Sequence, residues 1–252
     1  MEQIYAEKHG GAAPSQCPVC TSDEGTRIGE KQGFDLLFCE ACGMRYVDPM
    51  PSAEELTAFY THYVTTLHYI PKTARKITRS TRRLRRYRHL APGNRFLDLG
   101  CSIGTAVEAA ARLGFDAYGV DIDPESIRLA NEMFPSGQYH AGPVSDLPPE
   151  WGQFDFVYCA EVIEHLTDPH GYVEAASARM SPGAILYITT PDAGHWRVPG
   201  KFELWEQVVP PHHLIFFDRQ SLTSLLATHG LEVLKIEFCL KPGLKALARK
   251  TA

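Results

Sequence analysis

Apolar residues after position 92 fall into short runs that alternate with stretches of helical periodicity. Strands are predicted at 96–99, 117–121, 154–159, 184–190 and 231–239. Helices are predicted at 105–111, 123–133, 172–180 and 221–229. Strands that alternate with helices favour a parallel sheet covered on both faces. The pattern therefore predicts an α/β domain over 92–252.

Two segments of this domain are less regular. Only 244–249 remain for a final antiparallel strand, so that strand is predicted to be short or missing. A long loop at 190–211 carries four aromatic or imidazole side chains, which are His195, Trp196, Phe202 and Trp205. Long loops in compact domains often bind ligands. These rings either stack on a sugar or aryl ligand or anchor the loop to the core, and both interpretations remain open.

Four cysteines before residue 50 form two CxxC pairs with 18 residues between them, namely Cys17, Cys20, Cys39 and Cys42. This spacing is typical of a structural Zn²⁺ site with four cysteine ligands. The stretch 14–50 resembles a zinc ribbon, with a strand predicted at 34–38. All four thiolates would be used, which leaves no open position for catalysis. The alternative is four buried thiols without metal.

The segment 51–91 is predicted to be a helical linker. Ser52 and Glu55 form a capping box, which opens a helix through Leu56, Phe59 and Tyr60. A basic amphipathic helix follows at 72–90, with nine Lys or Arg residues and no acid between 72 and 88. We favour a helix packed on the C-terminal domain with a solvated cationic face. The alternative is a surface for RNA, an anionic glycan or phosphate.

Composition limits the class of protein. The 252 residues are 44% hydrophobic, as in a globular protein, and no apolar run reaches the roughly 20 residues of a membrane span. The N-terminus lacks the apolar core of a signal peptide. Seven cysteines, an odd number, indicate thiols in a reducing cytoplasm. We expect a monomer or homodimer.

Candidate ligand-binding residues follow the first strand of the α/β domain. Asp98 closes the strand, a turn from Gly100 to Gly104 follows, and a helix opens at Thr105. Such a turn lets a ligand approach the backbone at a helix N-terminus. Asp121 ends the next strand, at the usual distance for an acid that binds a ribose. Ser102 replaces the middle glycine of a dinucleotide turn, which favours a nucleoside without phosphates.

These stretches, together with 154–157 and 161–166, resemble class I S-adenosylmethionine (SAM) methyltransferases in content and order. The resemblance implies a Rossmann-like sheet, a turn that flanks the methionine part of SAM, and an Asp121 carboxylate that holds the ribose. Pro143 stands where many relatives carry an acid for adenine, so Asp146 is not expected to recognise that base. The implied cofactor-binding residues are Asp98, Gly100, Cys101, Ser102, Gly104, Asp121, Ile122, Val144, Ser145 and Ala160.

Acids and histidines follow the fourth strand. If a helix begins near Glu161, then Glu164 and His165 share its face at i+3 and i+4. The adjacent pair His212 and His213 comes much later. This arrangement is similar to that of ubiquinone-biosynthesis O-methyltransferases and small-RNA 2′-O-methyltransferases, both of which use a metal. The resemblance implies Mg²⁺ or another divalent cation on Glu161, Glu164, His165 and His213.

Without a cation, the catalytic candidates are His213, His212, His165 and Glu161, with an imidazole as the base. We predict a SAM-dependent methyltransferase that acts on oxygen of a small-molecule or carbohydrate-like acceptor. The alternative is an RNA methyltransferase for rRNA or tRNA, which would use the zinc ribbon and the arginine helix. A third interpretation is a non-catalytic SAM-binding adaptor.

Overall fold

The computed structural model describes residues 16–52, 54–56 and 70–251. Its strands form two sheets, one of four and one of seven strands. In chain order the strands are β1 (Gly25–Lys31), β2 (Phe34–Cys39), β3 (Arg45–Asp48), β4 (Arg95–Leu99), β5 (Asp116–Asp121), β6 (Gln138–Ala141), β7 (Phe154–Ala160), β8 (Met180–Thr190), β9 (Ile215–Phe216), β10 (Leu231–Ile236) and β11 (Leu244–Lys250).

Five labelled helices accompany these strands. They are α1 (Thr73–Tyr87), α2 (Thr105–Ala111), α3 (Pro124–Met133), α4 (Pro169–Ala178) and α5 (Arg219–Thr228). Aspartate N-caps begin the last three, since the carboxylates of Asp123, Asp168 and Asp218 accept backbone N–H groups of the first turn. The predicted end of α4 at Met180 is wrong by two residues, because that residue already pairs with β7.

The larger sheet has the strand order β10-β11-β8-β7-β4-β5-β6. Its five strands from β8 to β6 pair in parallel, so their carboxyl ends meet at one edge. The predicted α/β class is therefore confirmed. The ends of β4, β5, β7 and β8 lie at this edge. The candidate cofactor-binding and catalytic residues of the sequence follow these strands.

The expectation of a short or missing last strand is wrong. β11 has seven residues and pairs with β8 from Leu244 to Arg249, and with β10 on its other side. Its Leu and Ala residues do not favour a strand intrinsically, so the strand depends on these two neighbours. Lys250 closes its end, where Nζ donates to the carbonyls of Ser177 and Met180.

The smaller sheet joins distant parts of the chain in the order β1-β2-β3-β9. The turn at Gln32 and Gly33 links β1 to β2 with positive φ at both residues, as in a tight hairpin. β9 belongs to the segment after the predicted histidine pair and was not predicted. The cysteine-rich segment is therefore extended by a strand from the C-terminal half.

Two hydrophobic clusters cover the two faces of the large sheet. One continuous cluster contains Tyr46 of β3 together with Leu186 of β8 and Leu222 of α5, so the four-stranded sheet shares a core with the large one. The other cluster holds Leu84 of α1 and Val107 of α2. Of the predicted helix after Ser52, the reciprocal capping bonds with Glu55 are present, while positions 59 and 60 lie outside the described residues.

Candidate active site

The turn after β4 is built on glycines that no other residue replaces easily. Gly100 and Gly104 have φ values of 72° and 77°, in the left-handed region that favours glycine. A Cβ atom at Gly100 would lie 2.5 Å from a methyl group of Val162. A Cβ atom at Gly104 would meet the Tyr139 hydroxyl at 2.7 Å. The turn thus combines a required backbone conformation with close approach of its neighbours.

Asp121 fixes this turn from the end of the adjacent strand. Its Oδ2 accepts the backbone N–H of Ser102 at 2.8 Å, and its Oδ1 accepts the N–H of Asp123 at 3.0 Å. Burial raises the pKa of Asp121, although these two backbone bonds favour the charged form. Each carboxylate oxygen has a second lone pair, so the group can still accept hydroxyl donors. The geometry suits a ribose-binding acid.

Asp98 is buried at the end of β4. Burial raises the pKa of its carboxyl well above the ordinary value, and the nearby Asp121 raises it further. Lys76 of α1 acts in the opposite direction through its charge. A buried carboxyl group at this position suits a cationic ligand group, because a positive charge would restore its ionised form. The sequence did not suggest that α1 contributes a cation here.

The other predicted cofactor residues surround the same turn. Gly142 donates its N–H to the Asp121 carbonyl, which places Val144 and Ser145 beside the end of β5. The Ser145 hydroxyl donates to Asp146. Ile122 is 68% exposed, an unusual environment for an apolar side chain. Cys101 is buried in the turn and Ala160 ends β7.

The predicted helix at Glu161 is wrong. Glu161 has φ of 59° and continues the β7 ladder by donating its N–H to the Thr189 carbonyl. Only a short 3₁₀ turn follows, from Ile163 to His165. A positive φ at a residue other than glycine interrupts helical geometry, so the i, i+3 and i+4 argument does not hold.

The two glutamates nevertheless lie against the end of β8. Thr189 donates its hydroxyl to Glu161 Oε1 at 2.7 Å, and Thr190 donates to Glu164 Oε2 at 3.0 Å. Glu164 is buried, and its Oε1 has no hydrogen-bond partner among the described residues. Burial, reinforced by the Glu161 charge, raises the pKa of Glu164. A buried carboxyl with an unpartnered oxygen is a functional candidate.

Three histidines converge beside this turn. The rings of His165 and His212 lie 4.4 Å apart, and His213 lies 4.8 Å from His165. One nitrogen from each ring can be chosen so that all three lie within 4.8 Å of one another. The structure thus joins His165 to both members of the predicted pair. Among residues 16–52, 54–56 and 70–251, this histidine group includes neither Glu161 nor Glu164.

Backbone carbonyls orient two of these rings. His165 Nδ1 lies 2.6 Å from the carbonyl oxygen of His212, and His213 Nδ1 lies 2.8 Å from that of Gln207. A carbonyl only accepts, so both Nδ1 atoms carry the proton and both Nε2 atoms keep a lone pair. Burial and the two neighbouring imidazoles lower the pKa of His165 to about 3. Burial lowers the pKa of His212 to about 4 and also that of His213.

The cysteine cluster forms a second candidate site. Cys17 Sγ lies 3.6 Å from Cys42 Sγ, and Cys20 Sγ lies 3.4 Å from Cys39 Sγ. All four sulfurs lie within 4.8 Å of one another, and none forms a disulfide. Ligand sulfurs around tetrahedral zinc are separated by about 3.8 Å, from Zn–S bonds of about 2.3 Å. The donor set fits a structural zinc site.

Strand β9 connects the cysteine cluster to the histidines. Tyr46 of β3 pairs with Ile215, and the Val47 N–H donates to the carbonyl of Leu214 at 2.9 Å. Leu214 in turn donates its N–H to the carbonyl of Glu164 at 2.9 Å. The loop that carries His212 and His213, called the histidine loop below, is therefore held between the ribbon and the turn that carries Glu161 and Glu164, called the glutamate turn. The apolar run after His213 was the only sequence signal for this strand.

A second contact between ribbon and sheet was also missed. His170 of α4 donates from Nε2 to the carbonyl of Val19, which lies between Cys17 and Cys20. Its Nδ1 lies 2.9 Å from His229 Nε2. These histidines do not belong to the predicted site, and nothing in their local sequence marks the contact.

The aromatic residues of the long loop divide between the two interpretations. Trp205 and Phe202 are buried and pack on Phe216 of β9, so they anchor the loop. Trp196 is 70% exposed and stacks on His195. The Arg197 guanidinium lies over the Trp196 ring, 4.5 Å from its centroid. Only Trp196 among these three aromatics is thus placed to meet a ligand.

A seven-stranded sheet of this order, with a glycine turn after β4 and an acid at the end of β5, defines the class I SAM-dependent methyltransferase fold. Solved structures agree with this class. A methyltransferase from Burkholderia thailandensis, bound to 1,6-didemethyltoxoflavin and S-adenosylhomocysteine, is 18% identical, with a TM-score of 0.58 over 91% of this chain and 100% of that chain. A SAM-bound amino pentose methyltransferase from Micromonospora echinaspora is 20% identical, with a TM-score of 0.55 over 75% of this chain and 98% of that chain.

Sequence comparison supplies the family. The family profile described as a methyltransferase domain matches residues 67–236, which is more than half of the chain. The chain therefore belongs to this methyltransferase family. Ubiquinone biosynthesis O-methyltransferases are similar to it. The enzyme of Bordetella avium is 38% identical, over 39% of this chain and 43% of the relative. The enzyme of Xanthomonas campestris is 36% identical, over 45% of this chain and 48% of the relative. The chain thus matches less than half the length of these curated relatives.

Within its described residues, none of the helices has the length and apolarity needed to cross a membrane.

Proposed function

We propose that this chain transfers the methyl group of SAM to an oxygen atom of a small-molecule or carbohydrate-like acceptor. The observation that carries the proposal is the group of three neutral imidazoles at the turn after β7, a turn whose Val162 packs against Gly100. Neutral imidazoles with oriented rings can accept the proton that a hydroxyl group loses. The similarity to ubiquinone biosynthesis O-methyltransferases supports oxygen as the acceptor atom.

SAM is proposed to bind along the turn from Gly100 to Gly104. The Asp121 carboxylate would accept the ribose hydroxyls, and the buried Asp98 would face the cationic end of the methionine moiety. Ile122 would cover the adenine ring, which explains an exposed apolar side chain at this position. Val144, Ser145 and Ala160 would complete the pocket.

The acceptor hydroxyl is proposed to lie against His213 Nε2. His213 is oriented by the Gln207 carbonyl, so its free lone pair has a fixed direction. The bound methyl group requires attack along the line of the breaking bond, and fixed groups hold the acceptor there. The low pKa of the histidines makes them weak bases, which favours acceptors with an acidic hydroxyl, such as phenols and catechols.

A divalent cation would remedy the weakness of these bases. The three imidazoles offer nitrogen ligands of the type that suits transition metals, whereas Glu161 would suit a harder ion such as Mg²⁺. When bound, such a cation would orient an acceptor oxygen and lower the pKa of its hydroxyl. Glu164, whose Oε1 has no hydrogen-bond partner in the described part of the chain, is the neighbouring acid that would respond to the added charge.

We further propose one zinc ion on Cys17, Cys20, Cys39 and Cys42. Its role would be structural, because all four donors come from the protein. The ribbon would then hold β3 in place, and through β9 it would hold the histidine loop. The domain limits 14–50, 51–91 and 92–252 stay predictions.

RNA is the second candidate acceptor, which the exposed arginines of α1 favour. Incubating cell extract with SAM and the enzyme, followed by mass spectrometry of separate RNA and small-molecule fractions, distinguishes the two. We expect new methyl groups on small molecules, and clearly fewer with Asp121→Ala when SAM is limiting. Methylation confined to the RNA fraction would contradict the proposal.

The same assay tests the cation. Activity is measured after EDTA treatment and after adding back Mg²⁺ or Mn²⁺, with elemental analysis to confirm that ribbon zinc is retained. Loss and recovery of transfer support a cation at the histidine group. Full activity in EDTA would exclude the cation and leave an imidazole as base.

A further inference from the structure

The arginines of α1 divide into two groups by their contacts. Arg83 donates to the Tyr158 hydroxyl at 2.6 Å, and Arg88 donates to the Leu113 carbonyl at 2.7 Å. Arg82 and Arg85 are exposed, and neither side chain has a salt bridge or hydrogen bond within residues 16–52, 54–56 and 70–251. Contacts with the rest of the protein therefore account for only some of the arginines of α1.

The second group lines a cleft of about 610 Å³ between α1 and the end of α2. Its walls include four arginines and two apolar side chains, namely Arg82, Arg85, Arg86, Arg112, Ile77 and Leu113. Clefts of this size are typical of small-molecule sites. The glycine turn precedes α2 and Arg112 follows it, so the cleft lies at the opposite end of that helix from the candidate SAM site.

Acids neutralise this cleft only in part. Arg112 is paired with Glu108 at 2.6 Å, while Arg86 lies 4.0 Å from Glu237, too far for a hydrogen bond. The chain as a whole carries a net charge of −5, so the concentration of positive charge is local. An anion in a cleft lined by several guanidinium groups is attracted by their combined charge.

We propose that this cleft binds a small diphosphate-bearing molecule, such as a nucleoside diphosphate, at a site separate from methyl transfer. Guanidinium groups bind phosphate through paired, parallel hydrogen bonds. The excess positive charge matches a diphosphate better than a single carboxylate. Ile77 and Leu113 offer an apolar wall for an organic portion. A compact ligand fits four arginines on one cleft, whereas RNA would also contact Arg75 and Arg79, which are exposed outside it.

Calorimetric titration with inorganic pyrophosphate and with ADP at physiological salt tests the proposal. We expect one saturable site per chain, with ADP bound at least as tightly as pyrophosphate. Arg82→Gln/Arg85→Gln should weaken binding about tenfold or more. Arg27→Gln/Arg128→Gln removes the same charge from two exposed arginines elsewhere and should leave binding unchanged. Thermal melts and SAM titration report whether each variant is folded.

Several outcomes would overturn the proposal. Absence of saturable binding would do so, as would equal weakening in both double variants, since that indicates a general charge effect. Competition between pyrophosphate and SAM would show that the sites are not separate. Single-stranded RNA that binds more tightly than ADP, with a log–log salt slope of about −0.7 for each of several contacts, would identify a nucleic-acid surface instead.

Discussion

The two sides of the candidate active site are built in different ways. The SAM side comes from the nearly continuous stretch 96–123, where Asp121 binds the N–H groups of Ser102 and Asp123. The histidine side is assembled from the glutamate turn, the end of β8 and the loop before β9. Its central bond joins His165 to His212 across 47 positions of the chain.

This difference separates binding from catalysis. Short-range contacts hold the SAM side, so it should survive damage to the ribbon. The histidine side depends on β9, which pairs with β3 of the ribbon. We therefore expect ribbon changes to impair methyl transfer more than SAM binding. The following predictions test this separation.

The largest effect is expected from Cys39→Ser/Cys42→Ser. Two of four zinc ligands are removed, so the metal should be lost and the ribbon should unfold, because metal binding supplies most of the stability of such a small module. Elemental analysis should find one zinc per wild-type chain and none in the variant. The matched control Cys239→Ser lies outside the cluster and should retain zinc. Wild-type protein without zinc would contradict this prediction.

Gly100→Ala should disrupt the SAM side directly. The new Cβ meets Val162 at 2.5 Å and the residue has positive φ, so we expect a loss of about 2–5 kcal/mol in stability and no measurable SAM binding. Gly114→Ala is the matched control, with φ of 83° but open space around the added atom. It should cost about 1–2 kcal/mol and keep SAM affinity. Equal SAM affinity in both variants would place the cofactor elsewhere.

Asp121→Ala should weaken SAM binding about tenfold or more, because charge-assisted hydrogen bonds to the ribose are removed. Calorimetric titration measures the dissociation constant. Asp116→Ala, at the exposed beginning of the same strand, should bind SAM as the wild type does. If the two variants bind SAM equally well, the register of the proposed pocket is wrong.

Acid should destabilise the histidine side. His165 titrates near 6.5 when unfolded and at about 3 when folded, so the unfolded chain binds the extra proton as pH falls between these values. Stability is fully present above pH 6.5 and should fall by about 2 kcal/mol by pH 5. Urea unfolding should show a flatter pH profile for His165→Gln. An unchanged profile, with the exposed His89→Gln as control, would contradict the burial argument.

Sequence reasoning succeeded where the contacts are local. The strand, glycine turn and acid around Asp98 and Asp121 were predictable, since spacing along the chain fixes them. It failed at Glu161, where the pattern suggested a helix but the ladder with Thr189 extends β7. It also failed for β9, which pairs with β3, and for β11, which inserts between β10 and the distant β8. Such strands depend on tertiary contacts that local propensity does not record.

The most direct test of the account compares SAM affinity and methyl transfer in His213→Gln. The acceptor is the molecule identified by mass spectrometry of methylated extract. We predict an unchanged dissociation constant for SAM and a fall in transfer of about a hundredfold or more, as expected when a catalytic base is lost. Undiminished transfer, or a parallel loss of SAM binding, would contradict a site in which the glycine turn binds and the histidines act.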